Sequence, residues 1–151
     1  MILPISLVAL LLSPSPISLA SVAVMPETSV QRKGNKGSDY GAQQVLNAYR
    51  NQQSDVMIEG LVGVIEVVLS DDLEGSRHQR FIVRLASGQT VLIVHNIDLA
   101  PRIDSLRVGD HVTVKGEYEW NDRGGLIHWT HHDPRGRHEG GWIEHNGFLY
   151  E

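Results

Sequence analysis

Histidine is the residue type in this chain that most suggests chemistry. There are eight, and seven lie beyond residue 90. Three fall within the stretch His128-Trp129-Thr130-His131-His132. A β-strand rises about 3.3 Å per residue, so on a strand His128 and His132 stand roughly 13 Å apart on one face, and His131 points to the other. One ion with ligand nitrogens at about 2.0–2.1 Å cannot take all three. Density of imidazoles alone is therefore no zinc site. Basic residues alternate at His78, Arg80 and Arg84, preceded by Arg77. Outward arginines of this kind hold phosphate, sulfate or carboxylate groups in bidentate fashion. Glu117 and Glu119 dilute that positive potential, and few aromatics point outward to stack bases. Nucleophile signatures are weak. There is no cysteine, no Gly-X-Ser-X-Gly elbow and no Gly-rich phosphate loop followed by lysine, and Thr130 beside His128 and His132 has no evident oxyanion hole.

The elements that must position these residues are mainly strands. Residues 39–53 carry Ala42, Val45, Leu46 and Tyr49 at helical spacing, with Ser38 or Asp39 as cap, and predict one amphipathic helix. From residue 56 the apolar period changes to two. Five strands are expected at 56–69, 78–85, 89–96, 111–120 and 126–132. Gly60 and Gly63 inside the first predict a bulge or bend. Asp98, Pro101 and the apolar set Leu99, Ile103 and Leu106 predict a short helix between the third and fourth strands. Residues 121–125 read as a hairpin loop, and Asn146-Gly147 as the turn of a last short hairpin. Three strands, a short helix and two strands is the order of an OB-fold, a five-stranded Greek-key barrel. A generic meander sheet, or another small barrel with the same strand count, is the rival. Phe81, Val83, Val91, Ile93, Val112, Val114, Ile127 and Trp129 are expected inside.

In such a barrel the third and fifth strands are parallel neighbours. His95 and His131 close those strands on the inner side, which predicts that the two imidazoles meet at one rim. Pairing Tyr118 with Trp129 would set Gly116 opposite His131 and leave it room. Asn96, Asp98, Asp133 and His138 come from loops at the same end. His95, His131, Asp133 and His138 would suit zinc or another divalent ion with an open position. The same cluster reads equally as rim residues hydrogen-bonded among themselves, or as a metal-free ligand site. His78, Arg80, His95, Asn96, His131 and Asp133 are the candidate ligand-binding set.

RHQRFI (77–82), HNIDLAPRI (95–103), GEYEWN (116–121), IHWTHHDP (127–134) and GWI (141–143) together resemble an uncharacterised bacterial family of small exported proteins, a domain of unknown function. The resemblance covers about residues 56–150. It implies a single compact domain in an exported setting and brings no assigned chemistry. A narrower likeness is to secreted staphylococcal-type nucleases, OB barrels that gather carboxylates and arginines around calcium. Asp71, Asp72, Asp98 and Arg102 follow the first and third strands here, but that family's Asp-Gly-Asp-Thr stretch is missing.

Residues 1–23 read as an export signal. Residues 1–25 have no charged side chain, Ile5–Leu12 is apolar but for one serine, and small residues precede cleavage points after Ala20 and Ala23. Pro14 and Pro16 break the stretch below the ~20 residues of a stable membrane span. Residues 24–38 read as a flexible polar lead and 54–151 as the barrel domain. A periplasmic or secreted location follows from that signal. The 151 residues fit one domain with an export segment. A small molecule or an oligomeric anionic ligand is the expected partner, and nucleic acid is a partner that the formal charge of −5 does not favour. Three functions stay open: a ligand-binding barrel with its site at the rim, a divalent-metal hydrolase acting on phosphodiesters, and a structural or envelope-stress domain.

Overall fold

The computed structural model describes residues 36–151. The expected export signal and nearly all of the polar lead lie outside the described residues. Helix α1 (Lys36–Arg50) precedes seven strands: β1 (Val56–Val68), β2 (His78–Arg84), β3 (Thr90–Asn96), β4 (His111–Glu119), β5 (Leu126–His128), β6 (Trp142–His145) and β7 (Phe148–Tyr150). The strand order β1-β2-β3-β5-β4, closed by β1 pairing β4, makes a five-stranded barrel of OB-like topology. β3 and β5 are its parallel pair.

β1 can serve both edges because it bends. Its first part pairs with β4 and its second with β2. The β4 register shifts between Ile58 and Leu61, where Gly60 takes φ 74°. An L-residue other than glycine is strained there. Helix α1 closes onto this bend. Val45 and Ala48 are buried against the core, and the Gln44 side chain donates to Met57 O (3.2 Å) and accepts from Glu59 N (2.9 Å). Those bonds satisfy backbone groups that the bulge takes out of the ladder.

The alternation seen in the sequence sets the core. Phe81, Val83, Val91, Ile93, Val112, Val114 and Ile127 are all buried. β6 and β7 extend the sheet beyond β4, turned at Asn146-Gly147 with φ 51° and 78°, both left-handed, as a tight hairpin with this pair requires. No helix among the described residues is long and apolar enough to cross a membrane.

Three local expectations are corrected. Helix α1 already runs from Lys36, so Ser38 and Asp39 lie within it rather than cap it. Residues 98–106 form turns, not a helix. The expected cap, Asp98, is bound instead by Arg77, and the buried Gln79 amide grips both the N–H and the C=O of Ile103 at 3.0 and 2.8 Å. A backbone tied by its neighbours in this way has no i→i−4 ladder to join. The fifth strand stops at His128, not His132, because Trp129 takes φ 52°. Trp129 therefore leaves the inner row and stays partly exposed, and Thr130 turns in and is fully buried.

Candidate metal centre

The β4–β5 hairpin sets the geometry. Tyr118 Oη donates to Gly124 O (3.1 Å), and Asn121 Oδ1 accepts from Arg123 N and Gly125 N at 2.9 and 3.0 Å. This loop fixes the register as Tyr118 opposite Ile127 and Glu117 opposite His128, two residues from the Tyr118–Trp129 pairing that the sequence suggested. Tyr118 and Ile127 point into the core, so Glu117, Glu119 and His128 all point outward on one face. Directly opposed strand residues have Cβ atoms about 4.5–5.5 Å apart, close enough for side chains to converge.

They do converge. His128 Nε2 stands 3.3 Å from Glu117 Oε1 and 3.5 Å from Glu119 Oε1. One ligand atom from each of the three residues lies within 4.8 Å of the other two. The nitrogen is shielded from solvent and makes a hydrogen bond with neither carboxylate. A tetrahedral ion with bonds of 2.0–2.1 Å needs ligand atoms roughly 3.3–3.4 Å apart. The spacing of His128 from the two carboxylates fits that edge.

A surrounding layer holds these groups in place. His138 Nε2 donates to Glu117 Oε2 (2.8 Å), and its Nδ1 donates to Glu139 O (2.7 Å). With both acceptors oxygen, the ring is an imidazolium. Burial opposes its charge, but the Glu117 hydrogen bond and the nearby carboxylates outweigh burial and raise its pKa. The Trp129 indole that left the core stacks on this ring, with centroids 4.0 Å apart and planes 9° from parallel. A π face attracts such a cation. Asp133 builds the loop that carries His138. Its carboxylate accepts the backbone N–H groups of Arg135, Arg137 and His138 at 2.9, 2.7 and 2.9 Å, and these bonds hold its pKa down at about 2. Lys115 ties the same loop down through Glu139 (2.7 Å).

The residues expected at the rim have other partners. His95 is fully buried. Its Nε2 donates to Pro101 O (3.1 Å), and its Nδ1 faces the Thr130 hydroxyl at 2.9 Å. Both ring nitrogens are spent, so His95 has no lone pair for an ion. Burial lowers its pKa, and the neighbouring His131 and His78 act in the same direction. The space made by Gly116 goes to His128 O and to the Ile127 and Thr130 side chains, all of which a Cβ there would crowd, rather than to His131. Asp133 is likewise committed to loop amides, and His138 to Glu117. Of the expected ligand set, His78, Asn96 and His131 line one cleft of about 200 Å³ with His128 and Trp129. Arg80 stands apart, with Nε and Nη2 donating to Ser70 O at 3.3 and 3.1 Å. Arg84 pairs with Glu66. The nuclease-like residues have local partners, Arg102 with Asp71 and Asp104, Asp98 with Arg77, and Asp72 with the Glu74 N–H.

Glu117, Glu119 and His128 are the group that sequence reasoning missed. All three were already placed on outward faces by alternation. The missing signal was the register across residues 120–125, without which the glutamates read as diluting charge rather than as ligands.

A comparison with curated proteins finds no match. A family described as Protein of unknown function (DUF3465) matches residues 29–151, which contain the whole helix-and-barrel region, and the chain belongs to that family.

Proposed function

We propose that this barrel binds a divalent ion of the zinc class on its outer β4–β5 face, through Glu117, Glu119 and His128. The observation that carries the reading is the shielded His128 Nε2, without a hydrogen bond, at 3.3 and 3.5 Å from two carboxylate oxygens. With that nitrogen unprotonated, three electron-pair donors face one point, and a cation supplies the partner they lack. One imidazole and two carboxylates suit zinc or manganese rather than a thiolate-seeking metal. Three protein ligands leave a fourth position open, the pattern of sites that bind an exogenous group. The adjoining cleft with His78, Asn96 and His131 gives a small anionic ligand a place beside the ion. The setting is extracytoplasmic, on the reading of residues 1–23 as a cleaved export signal.

Zinc titration of the purified protein, followed by calorimetry and by metal analysis after gel filtration, tests this. One equivalent should be retained. Glu117→Gln and His128→Ala should each remove it. His138→Ala, which frees Glu117 to move, should weaken binding by about 10–100-fold, the usual cost of losing a partner that orients a ligand. Full retention in the His128→Ala variant would contradict the assignment.

A further inference from the structure

A second constellation lies at another place in the barrel, among Ser105, His145 and Asp110. His145 ends β6 and pairs with Val112 at the start of β4. Its side chain is wholly buried. Nε2 lies 2.8 Å from Asp110 Oδ2, and Nδ1 lies 3.2 Å from Ser105 Oγ. Asp110 is held in turn by Arg107 N (3.1 Å), and the hydrogen bond from His145 is the largest influence keeping its carboxyl ionised. A carboxylate can only accept at Nε2, so Nε2 carries the proton. Nδ1 then offers its lone pair to the serine hydroxyl. The order is carboxylate, imidazole, alcohol, with the alcohol on the exposed residue and the base buried beneath it. Such a triad is recognised by geometry and roles, not by sequence order. Among the described residues no backbone carbonyl accepts the N–H of Ser105, which leaves a donor beside the nucleophile.

From this geometry we infer that Ser105 is a nucleophile, with His145 as its base and Asp110 orienting that base, and that it accepts acyl groups from activated esters. In the first step Ser105 Oγ bonds to the ester carbonyl carbon and its proton passes to His145 Nδ1. The carbon–oxygen bond to the leaving alcohol then breaks, and that alcohol departs with the proton. Water, deprotonated by the same nitrogen, adds to the acyl-serine. Collapse releases the carboxylic acid and returns the proton to Ser105.

A fluorophosphonate probe tests this without knowledge of the natural ester. Attack by Ser105 Oγ expels fluoride, and the adduct is mapped by peptide mass spectrometry on the full chain. Ser105 should be the modified serine, and Ser76→Ala should change nothing. Asp110→Asn should slow labelling by at least about a hundredfold, the low end of what a positioned base contributes. An unmodified Ser105, or an Asp110→Asn rate equal to the parent's, would overturn the proposal. If Asp110→Asn does not fold, a thiol decides. The chain has no cysteine, so Ser105→Cys and Ser76→Cys each carry a single thiol. Iodoacetamide should alkylate the Ser105→Cys protein about tenfold faster or more, because the imidazole promotes its thiolate. Equal rates would reject an activated position.

Discussion

Both ring nitrogens of His95 are used inside the barrel, one on Pro101 O and one on the Thr130 hydroxyl. Its removal is therefore a stability experiment. His95→Ala should cost about 1–3 kcal/mol, because buried polar partners are left unpaired, and should leave zinc stoichiometry unchanged. Denaturant melts and a metal titration on one preparation check both halves. Asp133 gives a pH expectation of definite sign. Its carboxyl falls from the ordinary 3.8 to about 2 on folding. The stabilisation is present above the higher value and is lost as pH falls through the lower one. Amide signals of Arg135, Arg137 and His138 should therefore hold their positions down to about pH 4 and shift together toward pH 2. Signals that moved first near neutrality would mean that another group holds the loop. Alternation alone put both His95 and His131 on the inner side at the barrel rim, and both are buried. It could not show which of two adjacent residues, Thr130 or His131, turns inward, because that depends on one left-handed backbone angle at Trp129.

At the scale of elements, Trp129 ends β5 and lends its ring to His138 instead of to the core. Trp129→Ala should cost less than the ~3–5 kcal/mol of a buried aromatic truncation such as Phe81→Ala. It should also loosen the 133–138 loop, seen as faster amide exchange there. A cost equal to that of Phe81→Ala would place the indole in the core after all. Helix α1 ends with Gln53 N on Ala48 O (2.9 Å), Gln52 N on Tyr49 O (3.2 Å) and Gln52 at φ 52°. That is a Schellman end whose left-handed position carries glutamine where glycine is favoured. Gln52→Gly should stabilise by about 0.5–1 kcal/mol, the relief of left-handed strain less glycine's extra freedom when unfolded. No rise in melting temperature would count against that end geometry. Strand existence was legible wherever apolar and polar residues alternate, as in Val83-Arg84-Leu85. The turns at 98–106 were not, because long-range partners, Arg77 and Gln79, override a local capping pattern that reads as helix.

For the whole molecule, strand order alone foretold a closed OB-like barrel, and closure is what places the outward rows of β4 and β5 side by side. The candidate centre was less legible than the barrel. Its candidate ligands are 2 and 9 to 11 residues apart in two short stretches without a motif, and only the hairpin register brings them together. The export reading is checked separately. Intact-mass measurement should find a mature chain beginning at Ser21 or Val24, and a retained Met1 on a cytosolic product would reject it. The most direct test of the metal centre is a crystal of the zinc-loaded protein measured at the zinc absorption edge. The expected result is one anomalous peak on the outer β4–β5 face, at about 2.0–2.2 Å from His128 Nε2 and from one oxygen each of Glu117 and Glu119. A peak elsewhere, or none at a zinc concentration that saturates the titration, would contradict the site.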